Sequence, residues 1–145
     1  MVISQVYGGG GNSGATLRND FIELFNRGTT TINVTGWTVQ YASASGTSWV
    51  STQLSGSIAP GHYYLVQEQQ GSGGTKSLST PDAIGSINMS ATGGKVALVN
   101  NSGLLSGSCP ASSDVVDLVG YGSADCSEGS PAPTLSNTTA ILRAG

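Results

Sequence analysis

Charge is scarce in this sequence. Of its 145 residues five are Lys or Arg and eight are Asp or Glu, 9% charged with a formal net charge of -3, against the roughly 25% charged share of an average soluble domain. The five cations, Arg18, Arg27, Lys76, Lys95 and Arg143, are scattered along the chain. A groove that tracks a phosphate backbone needs neighbouring cations, because non-specific affinity comes mainly from counterion release. Direct non-specific nucleic-acid binding is therefore disfavoured. Histidine occurs once, as His62 in a Pro-Gly turn, and no G-x-S-x-G elbow accompanies it. A nucleophile held beside its base thus has almost nothing to work with, and His62 reads as a solvated turn residue. No stretch approaches the roughly 18 apolar residues of a membrane-spanning helix. No signal peptide is visible either, since strand-like Val2 to Tyr7 follows Met1 directly. Met1 is read as a start added to a mature or excised segment.

Cysteine is also sparse. Cys109 and Cys126 are the only two, too few for a structural zinc site, and they stand in a stretch rich in Pro, Ser and Gly. The better reading is a disulfide, which would stabilise the fold by about 3 kcal/mol in the chain-entropy description and implies an oxidising compartment. Secretion is an expectation from composition and this pair.

Glycine, by contrast, is abundant at 22 residues, and with Ser and Thr it supplies most of the polar character, a mixture that disfavours helix interiors. Short apolar runs recur between Gly, Pro, Asn and Ser clusters with a period of two. They predict strands at Val2–Tyr7, Phe21–Asn26, Thr31–Val34, Trp37–Tyr41, Trp49–Leu54, Tyr63–Gln67, Val96–Val99, Val115–Val119 and Thr138–Leu142. In the second, Ile22 and Leu24 face one way and Phe21, Glu23 and Phe25 the other. In the fourth, Thr38 and Gln40 form a polar outer face, and the fifth is a pairing candidate for it. Residues 69–81 show no period and read as a long surface loop. Eight or nine strands without helical spacing imply an all-β sandwich of two packed antiparallel sheets, one domain over residues 1–145.

Several residues invite chemistry. Gly9 to Gly14 satisfies G-x-G-x-x-G after a strand, but neither the following helix nor the downstream acidic residue of a dinucleotide site is present, so a flexible loop with a chance match is expected. Asp20, Glu23, Asp114 and Asp117 could be gathered by distant strands into a carboxylate pair; otherwise they serve solubility and turns. Asp114, Asp117, Asp125 and Glu128 are the one local concentration of acids, without calcium-loop spacing, and read as solvated. No cofactor or metal is expected. Trp37 falls at an alternating core position, whereas Trp49, between Ser48 and Val50 and near Ser51, is the candidate for exposure and for ligand stacking. The sequons at Asn33, Asn88, Asn100 and Asn137 are expected by chance in so Ser- and Thr-rich a chain.

Val2–Tyr7, Asp20–Asn26 and Val34–Val39, followed by Pro60-Gly61 before Tyr63–Val66, Gly93–Val99 and Val116–Gly122, resemble in order and spacing the lamin tail domain in its bacterial secreted form. The resemblance implies an immunoglobulin-like β-sandwich of about eight or nine strands. It also implies a non-catalytic accessory module, of the kind attached to secreted nucleases or phosphoesterases, with a protein, glycan or nucleic-acid partner. A carbohydrate-binding or adhesion module using Trp49 and tyrosines, and a carboxylate- or metal-dependent hydrolase using Asp20, Glu23, Asp114 or Asp117, are the competing expectations.

Overall fold

Ile22 and Leu24 lie on one side of their strand and Phe21, Glu23 and Phe25 on the other, and this alternation decides which face of the sheet turns inward. In the computed structural model, which describes residues 1–143, Ile22 and Leu24 are fully buried, each such side chain contributing roughly 1.5–3 kcal/mol. Eleven strands are present among the described residues: β1 Val2–Tyr7, β2 Asn19–Phe25, β3 Ile32–Asn33, β4 Thr38–Ala42, β5 Val50–Gln53, β6 Ser57–Ile58, β7 Tyr63–Gln70, β8 Ala83–Ile84, β9 Gly94–Val99, β10 Val115–Tyr121 and β11 Ile141–Leu142. The last two residues of the domain read from the sequence lie outside the described part.

The strands form a five-stranded sheet in the order β11-β1-β2-β7-β8, a four-stranded sheet in the order β10-β9-β4-β5, and a small β3-β6 ribbon. All pairs are antiparallel except β7 with the two-residue β8. The expected sandwich is thus present, with β6 and β8 as short additions that a period of two cannot reveal in so few residues. Between the sheets lies one continuous core that includes Ile3, Val6, Val34, Val39, Val66, Val96, Leu98 and Tyr121.

The two outer faces differ. The expected polar outer face of β4 is not solvated: Thr38 and Gln40 are buried beneath the 101–105 segment, to which they bond through Thr38 Oγ1 to Asn101 O (2.9 Å), Gln40 Nε2 to Gly103 O (2.8 Å) and Leu105 N to Gln40 Oε1 (2.9 Å). Beside them Ala42, Trp49, Ala97 and Val99 make a second, smaller apolar cluster. Over β4 and β9 the outer face of the four-stranded sheet is therefore covered by loops, while Ser51 and Gln53 of the edge strand β5 stay exposed. The outer face of the five-stranded sheet is open at one end, where Tyr63 is 61% and Leu142 74% exposed.

Candidate functional site

The open end begins with an irregularity. The β1–β2 register shifts between Ile3 and Gln5, so Ser4 is an extra residue in the ladder, and a bulge of this kind bends its strand and re-aims side chains. Ser4 Oγ donates to Glu23 Oε1 (2.8 Å) and to Glu23 O (3.1 Å), which fixes the carboxylate of Glu23. Next along β2, Phe25 pairs with Tyr63 of β7, and their rings stack with centroids 4.6 Å apart. On the far side Arg143, just past β11, donates from Nη1 to Asp117 Oδ2 (2.6 Å) and to Ile3 O (3.3 Å). Together these groups wall a cavity of about 320 Å³ that Gln5 and Arg27 also line. It is the candidate ligand site of the domain.

Trp49 is not there. It is 4% exposed, with its indole N–H donated to Gly107 O (3.0 Å) and the Lys95 ammonium 5.7 Å from its ring centroid. The serines near it suggested exposure; a loop nearly sixty residues downstream covers it instead. Trp37 is half-buried against the main core. The aromatic pair open to solvent is Phe25 and Tyr63; tyrosines are among the stacking residues of the carbohydrate-binding expectation, but nothing local singles out this one or pairs it with Phe25. The signal available was Phe25 on the face opposite Ile22 and Leu24.

The four candidate carboxylates differ in burial and in partners. Asp20, 2% exposed, accepts the amides of Gly10 (2.9 Å) and Met89 (2.9 Å), and burial pushes its pKa up to about 7 against those two lowering bonds. Glu23 faces the open groove, and Asp114 is exposed. Asp117 is buried, contrary to the solvated reading, because it bridges the sheets: it accepts Ile3 N (2.8 Å) from β1 as well as the guanidinium of Arg143. Its carboxylate also raises the pKa of Glu128 through a hydrogen bond. Asp125 pairs with Lys95 at 2.7 Å. Among the described residues no three His, Cys, Asp or Glu side chains converge as a metal ion would require. One buried acid escaped the sequence reading: Glu68, within β7, accepts Thr52 Oγ1 at 2.8 Å. Its pKa is raised to about 7 by burial, with the charge of Asp20 adding to the rise and bonds from Thr52 and the Ile87 amide opposing it.

The glycine-rich segment is packed rather than flexible, with residues 8–11 buried. A Cβ on Gly10 would sit 1.9 Å from the Asn19 carbonyl carbon, so glycine is needed there for close backbone approach and for the amide given to Asp20. His62 is exposed, its carbonyl accepting Asn26 N at 3.1 Å.

The sequence model of the Lamin Tail Domain family matches residues 1–123. The chain belongs to that family. No curated protein and no solved structure matches it. Membership carries an immunoglobulin-like β-sandwich, in agreement with the two sheets, and points to an interaction module rather than an enzyme. Within this lamin tail domain, β11 with Arg143, Asp125 and Cys126 lie past the matched residues.

Cys109 and Cys126 form the disulfide, Cα atoms 5.3 Å apart. Alkylation of the purified domain without prior reduction is expected to label no thiol, and reduction to lower its stability by about 3 kcal/mol; two labelled cysteines in the unreduced protein would refute the bond.

Proposed function

We propose that this lamin tail domain is a non-catalytic interaction module of a larger extracellular protein, of the bacterial secreted kind and accessory to a hydrolase such as a nuclease or phosphoesterase. The observation that carries the reading is the contrast between the two outer sheet faces: one covered by loops over its central strands, the other presenting a stacked aromatic pair and fixed polar groups in an open groove. A disulfide and the lack, among the described residues, of a helix long and apolar enough to cross a membrane are compatible with an extracellular setting. The enclosure of Asp20 by the Gly10 and Met89 amides and of Asp117 by Ile3 N and Arg143 also supports it, since hydrolysis by two carboxylates needs both free to flank one bond.

The domain purified alone is expected to leave bis-p-nitrophenyl phosphate, p-nitrophenyl acetate and casein unchanged. Turnover that disappears on Asp20→Asn or Asp117→Asn would replace this reading with the carboxylate hydrolase.

A further inference from the structure

The groove at the β1 bulge has three properties that together narrow its ligand. The first is size. At about 320 Å³ with nine lining residues, it lies at the small end of ligand cavities, roughly 300–1,000 Å³, and far below the roughly 20–30 residues a side of a standard protein interface. The second is charge. Arg27 and Arg143 are matched by Glu23 in the wall and by Asp117, which holds Arg143 at 2.6 Å and is itself hydrogen-bonded to Glu128, so no net positive charge remains. An anionic ligand would find no excess of opposite charge to offset its own desolvation, and the acids that could draw a cation are already engaged by Arg143 and Ser4. The third is the pairing of an aromatic face with fixed polar groups. Tyr63 is 61% exposed yet held by its stack on Phe25, and the neighbouring Glu23 carboxylate is oriented by Ser4 Oγ at 2.8 Å. A ring face carries negative quadrupole density that attracts polarised C–H groups, while the carboxylate accepts hydroxyl protons and the Gln5 amide both donates and accepts.

A small, uncharged ligand with one C–H face and a rim of hydroxyl groups meets all three conditions. We propose that this groove binds a neutral glycan, with one pyranose ring on Tyr63 and its hydroxyls bonded to Glu23 and Gln5. Because Ser4 and the Asp117–Arg143 pair already hold the polar wall, little side-chain freedom is lost on binding. The inference rests on the interaction-module reading and gives it a ligand class. It also places the stacking surface on the sheet opposite to Trp49.

The test is a titration of the ¹⁵N-labelled full chain with neutral hexasaccharides, namely cellohexaose, xylohexaose, laminarihexaose and mannohexaose, with hexagalacturonate and a thymidine hexanucleotide as charged probes. At least one neutral sugar is expected to shift amides of β1, β2 and β7 with millimolar or tighter affinity. Tyr63→Ala should weaken that binding by at least about tenfold, and Tyr63→Trp should keep it. Both variants should leave the amide spectrum of β4, β9 and β10 in place, which separates a lost contact from a lost fold. Glu23→Gln should weaken binding without moving the shifted surface. No shift from any neutral sugar at roughly 10 mM, shifts that map elsewhere, binding indifferent to Tyr63→Ala, or stronger binding of either charged probe at this groove would each overturn the proposal. None of those outcomes touches the interaction-module reading, which fails on substrate turnover.

Discussion

Replacing Lys95 by Met is expected to destabilise the domain by about 3 kcal/mol, the lower end of the range for breaking a buried ion pair, and to lower its Tm by roughly 10 °C, on the scaling for a domain of this size. Lys95 belongs to β9, and its side chain is 0% exposed. A lysine is rarely so placed, because its ammonium must be fully repaired by partners. Here the Nζ donates to Gly46 O (2.8 Å), Ser108 O (2.7 Å) and Asp125 Oδ1 (2.7 Å). Those acceptors belong to three separate loops, and two of them directly precede the cysteines of the disulfide. One cation therefore gathers loops on the outer face of the four-stranded sheet, and Met, of similar length and apolar, gathers none of them. Because Asp125 keeps partial access to water, its uncompensated charge costs less than a fully buried one would. Urea or thermal unfolding of Lys95→Met measures the effect, and a loss below about 1 kcal/mol, the usual worth of a surface pair, would show that the node is ornamental. Slower recovery of the Cys109–Cys126 bond on reoxidation is the accompanying kinetic expectation.

Raising the pH from 5 to 8 is expected to cost the fold about 3 kcal/mol, discounted from about 1.36 kcal/mol per pKa unit for residual solvation and for the interaction of the two groups responsible. Asp20 and Glu68 both have pKa values raised to about 7, chiefly by burial. Each binds its proton more tightly in the fold than in the unfolded chain, whose values are 3.8 and 4.5. Between those values and about 7 the folded state carries the extra protons, so stability is fully present below the unfolded pKa values and is lost as the pH rises through the folded ones. Above that window the curve levels. Urea midpoints taken every half unit trace it, and Glu68→Gln, whose amide oxygen still accepts Thr52 Oγ1, should remove roughly half of the slope. A flat or rising profile between pH 5 and pH 8 would show both carboxyls to be ionised in the fold throughout. The segment most affected should be residues 87–89, whose amides bond to Glu68 and Asp20.

Local alternation made most of the sandwich legible. β1 matches the run read from Val2 to Tyr7, Ile22 and Leu24 point inward as expected, and β5 does pair with β4. The pairings that matter most are between distant segments, such as β2 with β7 and β9 with β4, and no local pattern distinguishes these from other antiparallel partners. The site was less legible than the fold. Tyr63 and Phe25 are 38 positions apart and become one stacked surface only through the β2–β7 register. Trp49 is buried for the converse reason, since Ser48 and Ser51 near it in sequence suggest exposure while its neighbours in space are Lys95 and the carbonyl of Gly107.

By itself, the sequence determined that this chain alternates apolar and polar residues at a strand's period, lacks the material for helices, and carries a cysteine pair and the family's ordered landmarks. Those properties are local, or a matter of order, and survive without coordinates. Tertiary structure alone decided which outer face is covered over its central strands, which acids are buried and which rings reach solvent. Burial depends on what packs above a residue, and here the covering segments come from loops tens of residues away, drawn in by a buried ammonium and a disulfide.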